Sequence, residues 1–213
     1  MKKEHSAKQF FILSLVFVAA TTFGLDGYGE AKEHIFSPEN TKVGFRLDST
    51  LHRMVSGTAR KFNGKVAIPR GLDPKGYYTE IIVSVKDMDT ANEDRDKKMH
   101  ETCFEAGKNP DIIFRSTEFK NFPARLEKGK EFEFLLVGNL TIKGVTKNVA
   151  IPVKVQYRAN GYSFHGTVWL NYLQDFNIPD PSVFIFRVAK RVEVFFETDI
   201  PSSLFESRDA VSQ

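Results

Sequence analysis

Residues 131–157 read EFEFLLVGNLTIKGVTKNVAIPVKVQY, and how they fold decides the architecture. Phe132, Phe134, Leu136, Leu140 and Ile142 hold one parity, with Glu131, Glu133 and Asn139 on the other. Beyond Lys143-Gly144-Val145-Thr146, Val149, Ile151, Val153, Val155 and Tyr157 alternate with Lys154 and Gln156. Period two puts each apolar set on one face of a strand. The Lys-Gly-Val-Thr segment is a turn sequence, so the two runs read as neighbouring antiparallel strands, dry on one face and wet on the other.

The same alternation recurs on both sides. Val43, Phe45 and Leu47 show it, as do Thr79, Ile81, Val83 and Val85. Tyr162, Phe164, Val168 and Leu170 continue it, followed by Val192, Val194 and Phe196. In residues 111–122, Ile112 and Phe114 share one face, with Ile113 and Phe119 on the other. Residues 54–68 switch parity, from Val55, Gly57 and Ala59 to Phe62, Gly64, Val66 and Ile68. A bulge near Arg60–Lys61 and a tight turn at Asn63-Gly64 both account for the switch. About eight serial strands joined by short turns predict an all-β chain closed into an antiparallel barrel, with a sandwich as the alternative. A barrel of this size either fills its interior with side chains or holds one small ligand.

One helix, about 91–106, interrupts the strands. Thr90-Ala91-Asn92-Glu93 fits a capping box, and Gly107 followed by Pro110 supplies a stop. Met99, Cys103 and Ala106 form its apolar stripe, with Phe104 beside it. The helix carries RDKKMHE at 95–101, in which Asp96 and His100 share a face as metal ligands can. A zinc site takes three or four ligands, and His34, His52 and His165 each lie on a different segment. The charged run therefore reads as a solvated helix face, with no metal. There is no Gly-x-Ser-x-Gly elbow, no phosphate-cradling glycine loop and no carboxylate pair in an apolar setting. Cys103 reads as a small core residue. The expectation is a protein without catalytic residues; an enzyme built on His100 with Asp96 or His52 ranks last. Asp180-Pro181-Ser182, in a polar break before an apolar run, is either a rigid connection or a loop shaping a pocket mouth.

The N-terminus has the layout of a secretory signal over residues 1–24. Lys2, Lys3 and Lys8 precede an apolar run of 11 residues, Phe10 to Ala20, and small residues follow. That run is short of the roughly 20 residues a membrane span needs. Cleavage after Ala20 or after Gly24 fits equally. The expected location is outside the cytoplasm: periplasmic if the source is a Gram-negative bacterium, otherwise extracellular. The whole chain has 30 basic and 27 acidic residues, and removing the signal leaves 27 and 26. So even a balance gives no electrostatic support for a nucleic-acid partner. The lone Cys103 allows no internal disulfide.

Four ordered motifs resemble the YceI-like family. They are TLHRMVSG at 50–57, RDKKMHETCFEA at 95–106 with NPDIIFRS at 109–116, VGNLTIKGVTKNVAIPV at 137–153, and the segment 170–188. The last is built on an aromatic strand end, a Phe-x-Ile turn and Asp-Pro-Ser. The resemblance spans about 36–200, leaving 201–213 as a polar tail. It implies an extended, eight-stranded, lipocalin-like antiparallel barrel whose axial pocket takes a polyisoprenoid, a quinone or a similar lipid. It also implies no cofactor beyond such a non-covalent ligand; a homodimer is compatible with it. Arg95, Asp96, Met99, His100, Asp180, Pro181 and Ser182 are its motif positions. Cys103, where relatives often carry an aliphatic residue, and NYLQDFNIP at 171–179 depart from the pattern where a pocket end would be shaped. Strand parity nominates Phe45, Leu47, Phe114, Phe134, Leu136, Ile151, Val153, Phe164, Val168 and Phe186 as the lipid-facing wall. The competing expectation is a solid barrel serving as a structural or partner-binding module of the envelope.

Overall fold

The computed structural model describes residues 31–50, 53–69, 73–159, 161–182 and 187–205. The expected signal segment, His52, Phe186 and the tail beyond Phe205 lie outside these residues. In chain order the strands are β1 (Lys32–Phe36), β2 (Thr41–Ser49), β3 (Arg53–Ala59), β4 (Asn63–Ile68), β5 (Tyr78–Ser84) and β6 (Met88–Asp89). After them come β7 (Asp111–Lys120), β8 (Phe132–Ile142), β9 (Val145–Arg158), β10 (Gly161–Asn171) and β11 (Arg191–Pro201). They form one antiparallel sheet in the order β1-β4-β5-β7-β8-β9-β10-β11-β2-β3-β6, curled into a half-barrel.

The stretch at 131–157 folds as its parity requires. β8 and β9 pair without a break from Phe132↔Val155 to Ile142↔Val145. The two residues between them, Lys143 at φ 49° and Gly144 at φ 72°, are both left-handed, the geometry that matches a two-residue turn to the strand twist. Phe134, Leu136, Leu140 and Ile142 are buried on the concave face, while Glu133 and Asn139 are exposed.

Among the described residues eleven strands stand in place of the expected eight. The parity switch in residues 54–68 is a full break at Arg60–Phe62, neither a bulge within one strand nor a hairpin. β3 pairs with β2 and β6, whereas β4 pairs with β1 and β5. The break is fixed by Arg60 N–H donating to the Asp87 carbonyl at 2.8 Å. β1 and β6 are the other additions, and β6 has only two residues, too few to carry a period. Among the described residues β3 and β4 share no ladder. The gap between them is spanned instead by the chain itself, which leaves β5, turns at Val85–Asp87, and enters β6 against β3.

The helix α1 (Glu93–Lys98) runs on into a wider turn through Met99–Cys103, where Phe104 N–H donates to the Met99 carbonyl at 3.0 Å. Its cap is Asn92, whose side chain accepts from Arg95 N–H at 2.9 Å, rather than Thr90. It stops at Glu105, φ 52°, two residues before the expected glycine. A second helix, α2 (Tyr172–Phe176), caps the end of β10. Asn171 accepts from Gln174 N–H at 3.3 Å and Asn177 ends the helix at φ 53°. Opposite, the barrel is plugged by aromatic rings: Phe119 stacks on Phe134 at 5.6 Å, and Phe164 on Phe205 at 6.2 Å.

Candidate ligand cavity and its mouth

The curled sheet leaves space inside. A cavity of about 470 Å³ lies toward the α1 end, and a smaller one of about 110 Å³ lies toward the aromatic plug. Val43, Val83, Ile112, Leu140 and Val194, one each from β2, β5, β7, β8 and β11, line both. The two spaces therefore meet at a waist made by these five side chains. Inward residues such as Val43, Phe45, Leu47, Ile112 and Val194 are only half-buried because they face this space rather than other side chains.

The parity-nominated residues divide between the two cavities. Phe45 and Leu47 line the larger, and Phe114, Phe134, Leu136, Ile151, Phe164 and Val168 line the smaller. Val153 is fully buried between Phe134 and Gly166 on the neighbouring strands and lines neither. Much of the larger cavity is built by residues outside that set. Ile142, Leu170 and Val192 continue the strand parities and were within reach of the pattern. Met88, Tyr172, Phe176 and Ile178 come from short elements and turns where no period exists.

The mouth is framed by α1 and the Asp180–Ser182 segment, and the motif residues build that frame. Arg95 donates from Nε to the Thr90 hydroxyl oxygen at 2.8 Å and from its guanidinium to the Thr90 carbonyl at 2.6 Å. Thr90 in turn donates its hydroxyl and its N–H to Asp96 Oδ1, at 2.6 and 2.9 Å. His100 Nε2 lies 2.9 Å from the Met88 carbonyl, so that nitrogen carries the proton. Met99 points inward into the larger cavity. Arg95, Asp96, Met99 and His100 thus tie the helix to β6 and the residue after it, across the gap in the barrel. Among the described residues no group of three or more His, Cys, Asp or Glu side chains is placed to hold a metal ion.

Asp180, Pro181 and Ser182 complete the rim. Ser182 N–H donates to Asp180 Oδ1 at 2.9 Å, and Val188 N–H donates to the Ser182 hydroxyl oxygen at 2.9 Å. Lys98 on α1 donates to the Pro181 carbonyl at 2.8 Å, so helix and segment are joined. The Ser182 hydrogen bonds hold the Asp180 carboxyl below the usual range, with Arg187 and Lys190 adding to the effect. Asp96 is also held low. Burial pushes its carboxyl up, but the Thr90 hydrogen bonds outweigh it.

The lining is apolar with few polar atoms. Among the described residues, the buried hydroxyls of Tyr77, in the smaller cavity, and Tyr172, in the larger, find no hydrogen-bond partner. Burial pushes Tyr172 up to about 12 and raises the Cys103 thiol as well. Cys103 lines the larger cavity as a protonated, small apolar group. The arrangement can enclose an apolar chain and offers no activated nucleophile among these groups.

The YceI-like domain family model matches residues 35–200. The chain is 28% identical over 179 residues to a UPF0312 protein of Pectobacterium atrosepticum, covering 78% of this chain and 85% of that one. It is 26% identical over 182 residues to Protein YceI of Salmonella newport, covering 79% and 84%. Among solved structures, a polyisoprenoid binding domain from Saccharophagus degradans superposes with a TM-score of 0.61 at 12% identity, over 80% of this chain and all 100% of that one. BcnA of Burkholderia cenocepacia superposes with a TM-score of 0.60 at 20% identity, over 75% and 96%. At these identities the structural likeness establishes the fold.

Proposed function

The chain belongs to the YceI-like domain family, and from that premise we propose that it is an exported carrier holding an elongated apolar or amphiphilic lipid in its interior. The observation that carries this reading is the apolar cavity of about 470 Å³, which shares five lining side chains with a second space below it. A volume of that order suits one chain-like ligand. The ligand class is polyisoprenoid or quinone-like, which fits the solved relative described as a polyisoprenoid binding domain. Apolar burial holds it, at about 25 cal/mol per Å² before ordering costs are subtracted. The carrier needs no catalytic residue, metal or resident cofactor. Export is supported by the N-terminal pattern of Lys2 to Gly24, and its destination is the periplasm if the source is a Gram-negative bacterium and the extracellular space otherwise.

The test is organic extraction of the purified protein followed by mass spectrometry, with exchange of a radiolabelled polyprenol as a second arm. A stoichiometric extractable or exchangeable lipid is expected. An empty extract with no exchange would favour the other reading, a solid envelope module. That reading has one observation in its favour, the aromatic plug of Phe119, Phe122, Phe134, Phe164 and Phe205 at the far end.

A further inference from the structure

The outer surface at the cavity's open end carries a second feature. Met54 is 60% exposed and Trp169 is 52% exposed. Each sits beside an inward residue that lines the larger cavity, Val55 and Leu170 respectively. The registers place both at one rim. Asp48 pairs with Met54 and Ser49 with Arg53, while Trp169 pairs with Glu193 and Asn171 with Arg191. A bridge from Ser49 to Val188 brings residues 187–190 to the same edge. Among the described residues the other exposed large apolar side chains, Ile35 and Tyr78, stand on β1 and β5, beside the smaller cavity instead.

The rim is basic. Arg53, Arg187, Lys190 and Arg191 are all exposed there. The Arg191 guanidinium lies over the Trp169 ring, 5.4 Å from its centroid. The carboxylates around this end are Asp48, Asp180 and Glu193, together with the exposed Glu93 and Asp94 on α1, where Asp94 lines the mouth beside Arg95 and Lys98. Asp180 accepts from Ser182 and also attracts Arg187 and Lys190, and Glu193 is paired with Arg46 at 3.4 Å. The full sequence carries a formal charge of only +3, so this cluster is a local concentration and not a general excess.

We infer that this rim docks on the surface of an anionic lipid bilayer, with Trp169 and Met54 at the headgroup level and the cavity mouth turned toward the membrane. Indole rings favour that boundary because one edge is polar and the body apolar. Clustered arginine and lysine are drawn to anionic headgroups within about a Debye length, roughly 10 Å at 0.1 M salt. The docking face adds a partner to the carrier reading but does not require a bound lipid.

The sequence contains one tryptophan, so Trp169 reports on its own surroundings. The full chain is mixed with vesicles of phosphatidylglycerol and phosphatidylcholine, some carrying brominated acyl chains. Trp169 emission is expected to shift to the blue, to be quenched by bromine, and to recover as salt is raised. Replacing Arg53, Arg187 and Lys190 together by Gln keeps the Arg191–Trp169 contact and is expected to weaken binding on the order of a hundredfold, about 1 kcal/mol per charge converted to affinity. Met54→Ser is expected to reduce the quenching while leaving the salt dependence in place. Circular dichroism confirms that these surface variants are folded. An unchanged Trp169 spectrum while the protein sediments with vesicles would mean attachment elsewhere, through the N-terminal run for example, and would overturn the inference. So would an equal response to neutral phosphatidylcholine vesicles. A shift produced by soluble poly-glutamate, without bromine quenching, would assign the rim to an acidic protein instead. Lipid extraction from the same preparation reports on the carrier reading separately.

Discussion

Thr90 is bonded from both its hydroxyl and its backbone, and every partner is a family-motif side chain on α1. Thr90→Val keeps the shape and removes the hydroxyl, leaving Arg95 and Asp96 short of a partner. A loss of about 1–3 kcal/mol in urea unfolding is expected. Asp96 makes the same contact pH-dependent. Its folded carboxyl sits below the ordinary value, so its contribution is present above the unfolded pKa of about 4 and fades as pH falls through the folded one. Asp96→Asn should therefore flatten the decline of stability on acidification below about pH 4, measured by urea midpoints across that window. His100 and Asp96 share a helix face as metal ligands can, but the charged run reads as a solvated face without a metal. Their hydrogen bonds to Met88 and Thr90 make them fasteners, and that difference lies in tertiary contacts that no spacing within the helix encodes.

The long strands were legible because one face of each is dry, and a period of two survives over eleven or more residues in β8 to β11; in β7 a register shift between Ser116 and Glu118 turns Phe119 into the same interior as Phe114, where unbroken parity puts them on opposite faces. β6, with two residues, and α2, with five, are too short for any period to show. The helix cap was misassigned for a physical reason: Thr90 fits the capping pattern, but its hydroxyl is already committed to Asp96 and Arg95, and Asn92 does the capping. The inner glycines lead to a comparison. A Cβ at Gly57 would meet the Phe45 ring at 2.4 Å, and that ring borders the open cavity into which it can turn. A Cβ at Gly138 would meet the Arg115 carbonyl of the paired strand at 2.5 Å, and a ladder cannot turn aside. Gly57→Ala should stay folded while losing ligand capacity, and Gly138→Ala should cost at least about 1–3 kcal/mol, read from denaturation midpoints beside a lipid-displacement assay.

Taken whole, the molecule is a sleeve with a waist. A ligand occupying both spaces must pass Val43, Val83, Ile112, Leu140 and Val194. Val194→Phe narrows that passage. In a chain-length series, long polyprenols should lose affinity in the variant while short ones keep theirs, as read by competition with a fluorescent fatty acid. Saturation of the parent protein at a hundred times Kd adds about 2.7 kcal/mol, which raises Tm by about 5 to 10 °C for a chain of this size. Apart from Phe186, which lies outside the described residues, the nominated wall residues face inward as their parity suggests, but their division into two chambers was not legible, because the waist is a property of five strands at once.

The seam between β3 and β4 has a mechanical meaning. A fully laddered barrel has a fixed girth, since widening it breaks a row of hydrogen bonds along the whole strand. In this half-barrel the gap between β3 and β4 is spanned only by the two paired residues of β6, the turn at Val85–Asp87 and the helix fastened over them. Such a wall is built like a belt with a short buckle, since widening it at the seam costs only the few hydrogen bonds of β6 and the helix fastening. For the proposed carrier, this would combine selection by length at the waist with tolerance in width at the mouth.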